Sequence, residues 1–147
     1  MRNTTILLAD DDPDECLLTE EALKEDGEGV LLRCVQNGEE LLDYLRYQGR
    51  YTDPASAPRP HLILLDLDMP LKDGREVLQE IKSDPALRRI PIVVMTNSTA
   101  EEDLLNTYNL GVNSFIPKPM SFNQMLEVIH TLGKYWFGVV KLPPMND

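Results

Sequence analysis

Residues 61–74 read HLILLDLDMPLKDG. An apolar run that ends abruptly in Asp66, followed by Asp68 and a loop punctuated by proline and glycine, describes a strand buried on both faces. Moving outward, three more stretches repeat the pattern. TILLA (5–9) runs into Asp10, Asp11 and Asp12; IPIVVM (90–95) runs into Thr96, Asn97 and Ser98; VNSFI (112–116) runs into Pro117, Lys118 and Pro119. VLLRCV (30–35) is the fifth strand candidate. Stretches of helical period lie between and after them, at 13–26, 37–48, 74–83, 100–109 and 121–137. Strands alternating with helices in this way specify an α/β domain, a doubly wound parallel sheet with right-handed crossovers.

Local signals refine that frame. Asp12 is placed to cap the first helix, Pro13 suits its first position, and Glu15 stands three residues after the cap in capping-box spacing. Leu17, Leu18, Ala22 and Leu23 form its core stripe, and Gly27 and Gly29 end it. Along the last helix Phe122, Met125, Leu126, Ile129, Leu132 and Trp136 form an apolar stripe, most of which belongs to the core. The segment QGRYTDPASAPRP (48–60) reads as an extended surface loop.

Composition narrows the function classes. A chain of 147 residues with 42% apolar and 27% charged residues has material for one core and is not disordered. Lysine and arginine number 14 against 25 aspartates and glutamates, a net charge of −11. Such an excess argues against nucleic acid or an anionic membrane as the main partner. No apolar run approaches the roughly 20 residues of a membrane span, and no signal peptide is visible. Cys16 and Cys34 lie in no CxxC or Cys/His cluster and read as two thiols of a reducing, cytoplasmic compartment.

In an open doubly wound sheet, ligands bind beyond the carboxyl ends of the strands. Four strands here deliver Asp10 and Asp11, Asp66 and Asp68, Thr96, and Lys118 to one rim. Carboxylates gathered so closely repel one another unless a cation joins them. Oxygen ligands without histidine or cysteine indicate Mg²⁺ or Mn²⁺ rather than zinc. His61 opens a strand and His130 lies within the last helix, so neither reads as a ligand. Lysine and threonine on the same rim suit phosphate oxygens, and a carboxylate is the nucleophile of the phosphoryl chemistry this set implies.

The motifs ILLADDD (6–12), LILLDLDMPLKDG (62–74), PIVVMTNS (91–98) and GVNSFIPKP (111–119) occur in an order and spacing that resembles the receiver domains of two-component response regulators, over roughly residues 4–138. The long loop REVLQEIKSDPALRRIP and the ending KYWFGVVKLP look like the small standalone regulators paired with phytochrome-type histidine kinases. The resemblance implies a single flavodoxin-like (βα)5 domain with strand order 2-1-3-4-5 and a short apolar tail at 139–147. It implies that Asp66 accepts a phosphoryl group from a phosphohistidine on a sensor kinase. Asp11, Asp66 and the Asp68 carbonyl would bind Mg²⁺, with Asp10 acting largely through water. Lys118 would pair with Asp66 and then with the phosphoryl group, ahead of a cis Lys118–Pro119 peptide. Thr96 and Phe115 would be the switch pair, with phenylalanine in place of the commoner tyrosine. Asn97 stands where the family usually has a small residue, and Asp68 and Ser98 occupy positions that tune phosphoryl lifetime.

Output without an effector domain requires protein contacts. Val128, Tyr135, Phe137, Val139, Val140 and Leu142 add apolar surface to the last helix and tail. Either the tail folds back on its own domain or it joins the fourth helix and fifth strand in a homodimer face, the reading preferred here. Two rivals remain. Asp66-Leu67-Asp68 also resembles the DxD motif of haloacid-dehalogenase-type phosphatases, although the following context and the upstream acids differ. A phosphorylation-independent binding module would need a degraded site, whereas Asp11, Asp66, Thr96 and Lys118 are all present. No GxGxxG or GxxxxGK[ST] motif supports nucleotide binding.

Overall fold

The computed structural model describes residues 4–25 and 29–143. The strands are β1 (Thr4–Ala9), β2 (Val30–Val35), β3 (Leu62–Leu65), β4 (Ile92–Thr96) and β5 (Ser114–Pro117). The helices are α1 (Pro13–Glu25), α2 (Gly38–Arg46), α3 (Gly74–Ser83), α4 (Glu101–Leu110) and α5 (Phe122–Lys134). All pairings are parallel and the order is β2-β1-β3-β4-β5, the expected doubly wound topology.

Side-chain alternation along the strands divides the core in two. Leu7 and Ala9, Ile63 and Leu65, and Ile92 and Val94 face one way, meeting Leu41, Tyr44 and Leu45 of α2 and Val77, Leu78 and Ile81 of α3. Ile6 and Leu8, Leu62 and Leu64, and Val93 and Met95 face the other way, meeting Ala22 and Leu23 of α1 and Met125 and Ile129 of α5. Both faces of the central strands are covered, which is why those stretches are apolar without alternation.

Several elements differ from their sequence reading. The fifth strand starts two residues late, because Asn113 begins the pairing itself: its N–H donates to the Ile92 carbonyl (2.8 Å) and its Oδ1 accepts the Ile92 N–H (3.0 Å). Helix α2 stops at Arg46, where Tyr47 turns left-handed at φ 56°. The helix expected at 74–83 is α3 itself, so only the latter half of the 75–91 segment is loop. Nor is 48–60 merely extended. Its two 3₁₀ turns, Gly49–Tyr51 and Pro54–Ser56, hold Ala57 buried, and the Tyr44 hydroxyl donates to the Pro58 carbonyl at 2.7 Å. Beyond α5, the π-helical turn Tyr135–Val139 buries Trp136, and Phe137, Val140 and Leu142 pack on the α1/α5 side of the core. This part of the tail therefore folds against its own domain. Leu17 and Phe122, expected in the core, are exposed. The Gly27 turn lies outside the described residues.

Two covalent expectations also need correction. Cys16 and Cys34 are joined by a disulfide rather than being two thiols. Packing of α1 beside β2 brings together residues that no sequence motif pairs. The Lys118–Pro119 peptide is trans, as are the other peptide bonds among the described residues. Lys118 reaches its partners from that ordinary geometry.

Gly74 lies where the fold presses closely on the rim. A Cβ there would lie 2.4 Å from the Asp66 carbonyl oxygen and 2.7 Å from Leu67 Cα, both backbone atoms. Its N–H donates to the Leu67 carbonyl at 2.9 Å, closing the loop that follows β3. Gly74→Ala should therefore cost about 2 kcal/mol or more through overpacking against immovable backbone. Urea denaturation would register this as a lowered midpoint; an unchanged midpoint would show that the loop can yield.

Candidate phosphoryl and metal site

Parallel strands β1, β3, β4 and β5 all end at one edge of the sheet, and their next residues form a single acidic pocket. Asp10 and Asp66 are each only 5% exposed. One carboxylate oxygen from each of Asp10, Asp11 and Asp66 lies within 4.8 Å of the others, with Asp11 open to solvent. Asp10 Oδ1 accepts the Asp12 N–H at 3.0 Å, and Asp66 Oδ1 accepts the Asp68 N–H at 3.1 Å. The remaining oxygen of each faces Lys118, whose Nζ donates to Asp10 Oδ2 at 2.9 Å and Asp66 Oδ2 at 3.1 Å. The Lys118 backbone N–H is anchored on the Thr96 carbonyl at 2.8 Å, so pairing of β4 with β5 aims the side chain.

A third carboxylate reaches the same ammonium. Glu15 Oε2 stands 3.1 Å from Lys118 Nζ. The capping box expected of Glu15 is therefore not its role; Asp12 Oδ1 accepts the Asp14 N–H at 2.9 Å while Glu15 turns inward. The signal was its place in the first turn of α1, where side chains lean back towards the helix N-terminus and hence towards the strand ends.

Burial dominates the electrostatics. It pushes the Glu15 carboxyl up to about 7, with Asp10 adding to the effect and Lys118 opposing it. It also raises Asp66, against the Asp68 N–H and Lys118, which favour the carboxylate. Burial disfavours the Lys118 ammonium, but Asp10 and Asp66 outweigh it and hold the group above the ordinary lysine range. The all-oxygen donor set of Asp10, Asp11 and Asp66 fits a hard divalent cation, which would relieve the crowding of acids.

Thr96, fully buried, and Asp68 form the far side of the pocket. The Thr96 hydroxyl faces Asp68 Oδ2 at 3.5 Å, the limit of hydrogen-bond distance, and accepts the Ser98 N–H at 3.3 Å. Phe115 is not gathered with the acids. It is half-buried against the α2/α3 side of the core, and its N–H donates to the Tyr108 hydroxyl of α4 at 3.2 Å.

The sequence reading also missed a polar link leaving this pocket. Arg75 Nε and Nη2 grip Asp103 Oδ1 and Oδ2, each at 2.6 Å, and the Ser98 hydroxyl donates to the same carboxylate at 2.6 Å. Arg75 Nη2 also approaches Asp68 Oδ1 at 3.4 Å. A cation in the first turn of a helix opposes the helix dipole, so Arg75 opening α3 signals a specific anionic partner.

Comparison with known proteins places these features in context. The model of the response regulator receiver domain matches residues 6–130. Response regulator Rcp1 of Synechocystis sp. is 40% identical over 141 residues, covering 94% of this chain and 92% of Rcp1. The crystal structure of the phosphorylated cyanobacterial phytochrome response regulator RcpA superposes with a TM-score of 0.90 at 41% identity, covering 97% of this chain and 99% of that one. The Mn²⁺-bound form of Rcp1 gives 0.89 at 38%, covering 96% and 99%.

Arg75 and Ser98 hold the Asp103 carboxyl down at about 2. Because its pKa falls on folding, Asp103 adds stability above its unfolded pKa, and this is lost as pH drops through about 2. Asp103→Asn should cost about 1 kcal/mol at neutral pH, a figure discounted for the solvent exposure of Arg75. The gap between wild-type and variant melting temperatures should then narrow from about pH 4 down to about pH 2, as first the unfolded and then the folded carboxyl takes up its proton. A gap independent of pH would contradict this assignment.

Proposed function

Because the chain belongs to the response regulator receiver domain family, we propose that it takes a phosphoryl group on Asp66 from the phosphohistidine of a sensor histidine kinase and signals through protein contacts. The observation that carries this reading is the meeting of Asp10, Asp11, Asp66 and Lys118 at one rim. Asp66 is the buried acid of the set whose two oxygens are oriented by the Asp68 N–H and the Lys118 ammonium. Its carboxylate attacks phosphorus, an O–P bond forms, the N–P bond breaks, and the departing imidazole nitrogen keeps the electron pair. A divalent ion, Mg²⁺ or Mn²⁺, held by Asp10, Asp11 and Asp66 with the Asp68 carbonyl, would supply charge neutralisation.

The acyl phosphate brings about −1.5 to −2 of charge into an acidic pocket. Lys118 offsets part of it. The Thr96 hydroxyl leaves its weak contact with Asp68 to donate to the phosphoryl group, and Phe115 moves into the space behind it. The Phe115 backbone N–H donates to the Tyr108 hydroxyl, so any shift of β5 that accompanies this swing reaches α4.

Likeness to RcpA and Rcp1 supports a phytochrome-type kinase as the donor. Leu17, Leu71, Met120 and Phe122 are large apolar side chains exposed on the elements bordering the rim, which suits docking of a helical donor. No helix among the described residues is long and apolar enough to cross a membrane. Membership of the receiver family favours a cytoplasmic site of action, and the acid excess disfavours nucleic acid or an anionic membrane as partner.

Incubation with acetyl phosphate and Mg²⁺ should label the wild-type chain, and Asp66→Asn or chelation of the ion should abolish the label. Labelling that persists in Asp66→Asn would refute the acceptor. Continuous turnover of p-nitrophenyl phosphate would favour the phosphatase reading instead.

The outer surface of α4 exposes Leu104, Leu105 and Tyr108, with Leu105 at 63%. With part of the tail already packed on its own domain, this strip, β5 and the exposed Tyr135 and Val139 are the apolar surface available for a homodimer. Sedimentation should show a dimer at tens of micromolar that Leu105→Glu dissociates, since burying that charge costs several kcal/mol. A monomeric wild-type chain, bare or with a phosphoryl mimic, would remove this face.

A further inference from the structure

The mechanism above uses every charged side chain around Lys118 except one. Glu15 comes from α1, which the acceptor chemistry does not otherwise involve, yet its carboxylate sits as near the ammonium as that of Asp66, both at 3.1 Å. The contact is sheltered: the side chains of Lys118 and Glu15 are 6% and 23% exposed. Lys118 is thus divided among three acids, of which Asp10 and Asp66 have roles at the site.

We propose that Glu15 is a positioning residue that competes with Asp66 and its phosphoryl group for Lys118, so that α1 restrains phosphorylation. This inference rests on Asp66 as the acceptor. In the bare protein the Lys118 ammonium donates to Asp10 and Asp66, and Glu15 stands against it as a third negative charge. A phosphoryl group on Asp66 draws the ammonium towards itself, and Glu15 is left as a less compensated like charge beside the new anion. This disfavours the phosphorylated state, and the poor screening of a buried site enlarges the effect.

Glu15→Gln keeps the shape of the side chain and removes the charge. In acetyl phosphate labelling with Mg²⁺, this variant should label about threefold faster or more, the equivalent of ~0.6 kcal/mol or more. An equal or slower rate overturns the proposal. A second measurement needs neither metal nor phosphoryl donor. In chelator, Glu15→Gln should raise the melting temperature more in a Lys118→Gln background, where it relieves repulsion alone, than in the wild type, where it also loses an attraction. The same shift in both backgrounds overturns the contact. The labelling comparison stands by itself where a Lys118 variant is too unstable to melt. A wild-type chain that takes no label at all refutes Asp66 as acceptor and leaves the melting comparison to decide on Glu15. Normal labelling with no difference between wild type and Glu15→Gln refutes Glu15 alone.

Discussion

Among the described residues, the Lys118 ammonium is the positive charge buried with Asp10, Asp66 and Glu15. Without it, these acids would repel one another in a setting where burial already disfavours ionisation, and neutralisation would be the cheaper outcome. With it, Asp66 remains a carboxylate that can act as a nucleophile. The pairing is not rigid chemistry, because the same ammonium can turn to another anion without leaving the pocket. A site held together by a transferable charge is suited to a modification that comes and goes.

The placement of that charge is a consequence of sheet register. Leu8 lies opposite Leu64, Leu65 opposite Val94, and Thr96 opposite Pro117, so each strand ends within a residue or two of its neighbour. A slip along β5 would carry Lys118 out of reach. The apolar side chains that lock the register are those of the two core layers, so packing far from the rim sets the geometry at it. The Arg75–Asp103 pair continues the arrangement outwards by tying the start of α3, next to the loop that follows β3, to the first turn of α4.

Much of this was legible in the chain. Apolar runs ending in Asp10, Asp66, Thr96 and Lys118 reveal both the strands and their common rim, because burial on both faces and termination in charge leave little other reading. Glu15 and Arg75 were not legible as partners. A charged residue in the first turn of a helix has a local explanation, capping or solvation, and only the approach of α1 to Lys118 beyond β5, or the packing of α3 on α4, shows another. Cys16 and Cys34 escaped for the same reason: spacing in sequence carries no information about an α1–β2 contact. The exposure of Leu17 and Phe122 broke an otherwise sound helical stripe, since periodicity marks a face without saying where the core ends.

The order of strands bears on how the molecule assembles. β1, first in sequence, lies inside the sheet, and its bond from Thr5 N–H to His61 Nδ1 joins residues 56 apart. Lys118 meets Asp10 across a separation of 108 residues. Contacts this distant must close long loops before they reward the chain, and so they form slowly. On a ribosome, Asp10 and Asp66 emerge long before the lysine that compensates them, and the nascent chain carries an unneutralised acid cluster until β5 docks. Competence for chemistry and completion of folding therefore coincide, and a truncated or half-folded chain has no finished pocket to offer a kinase.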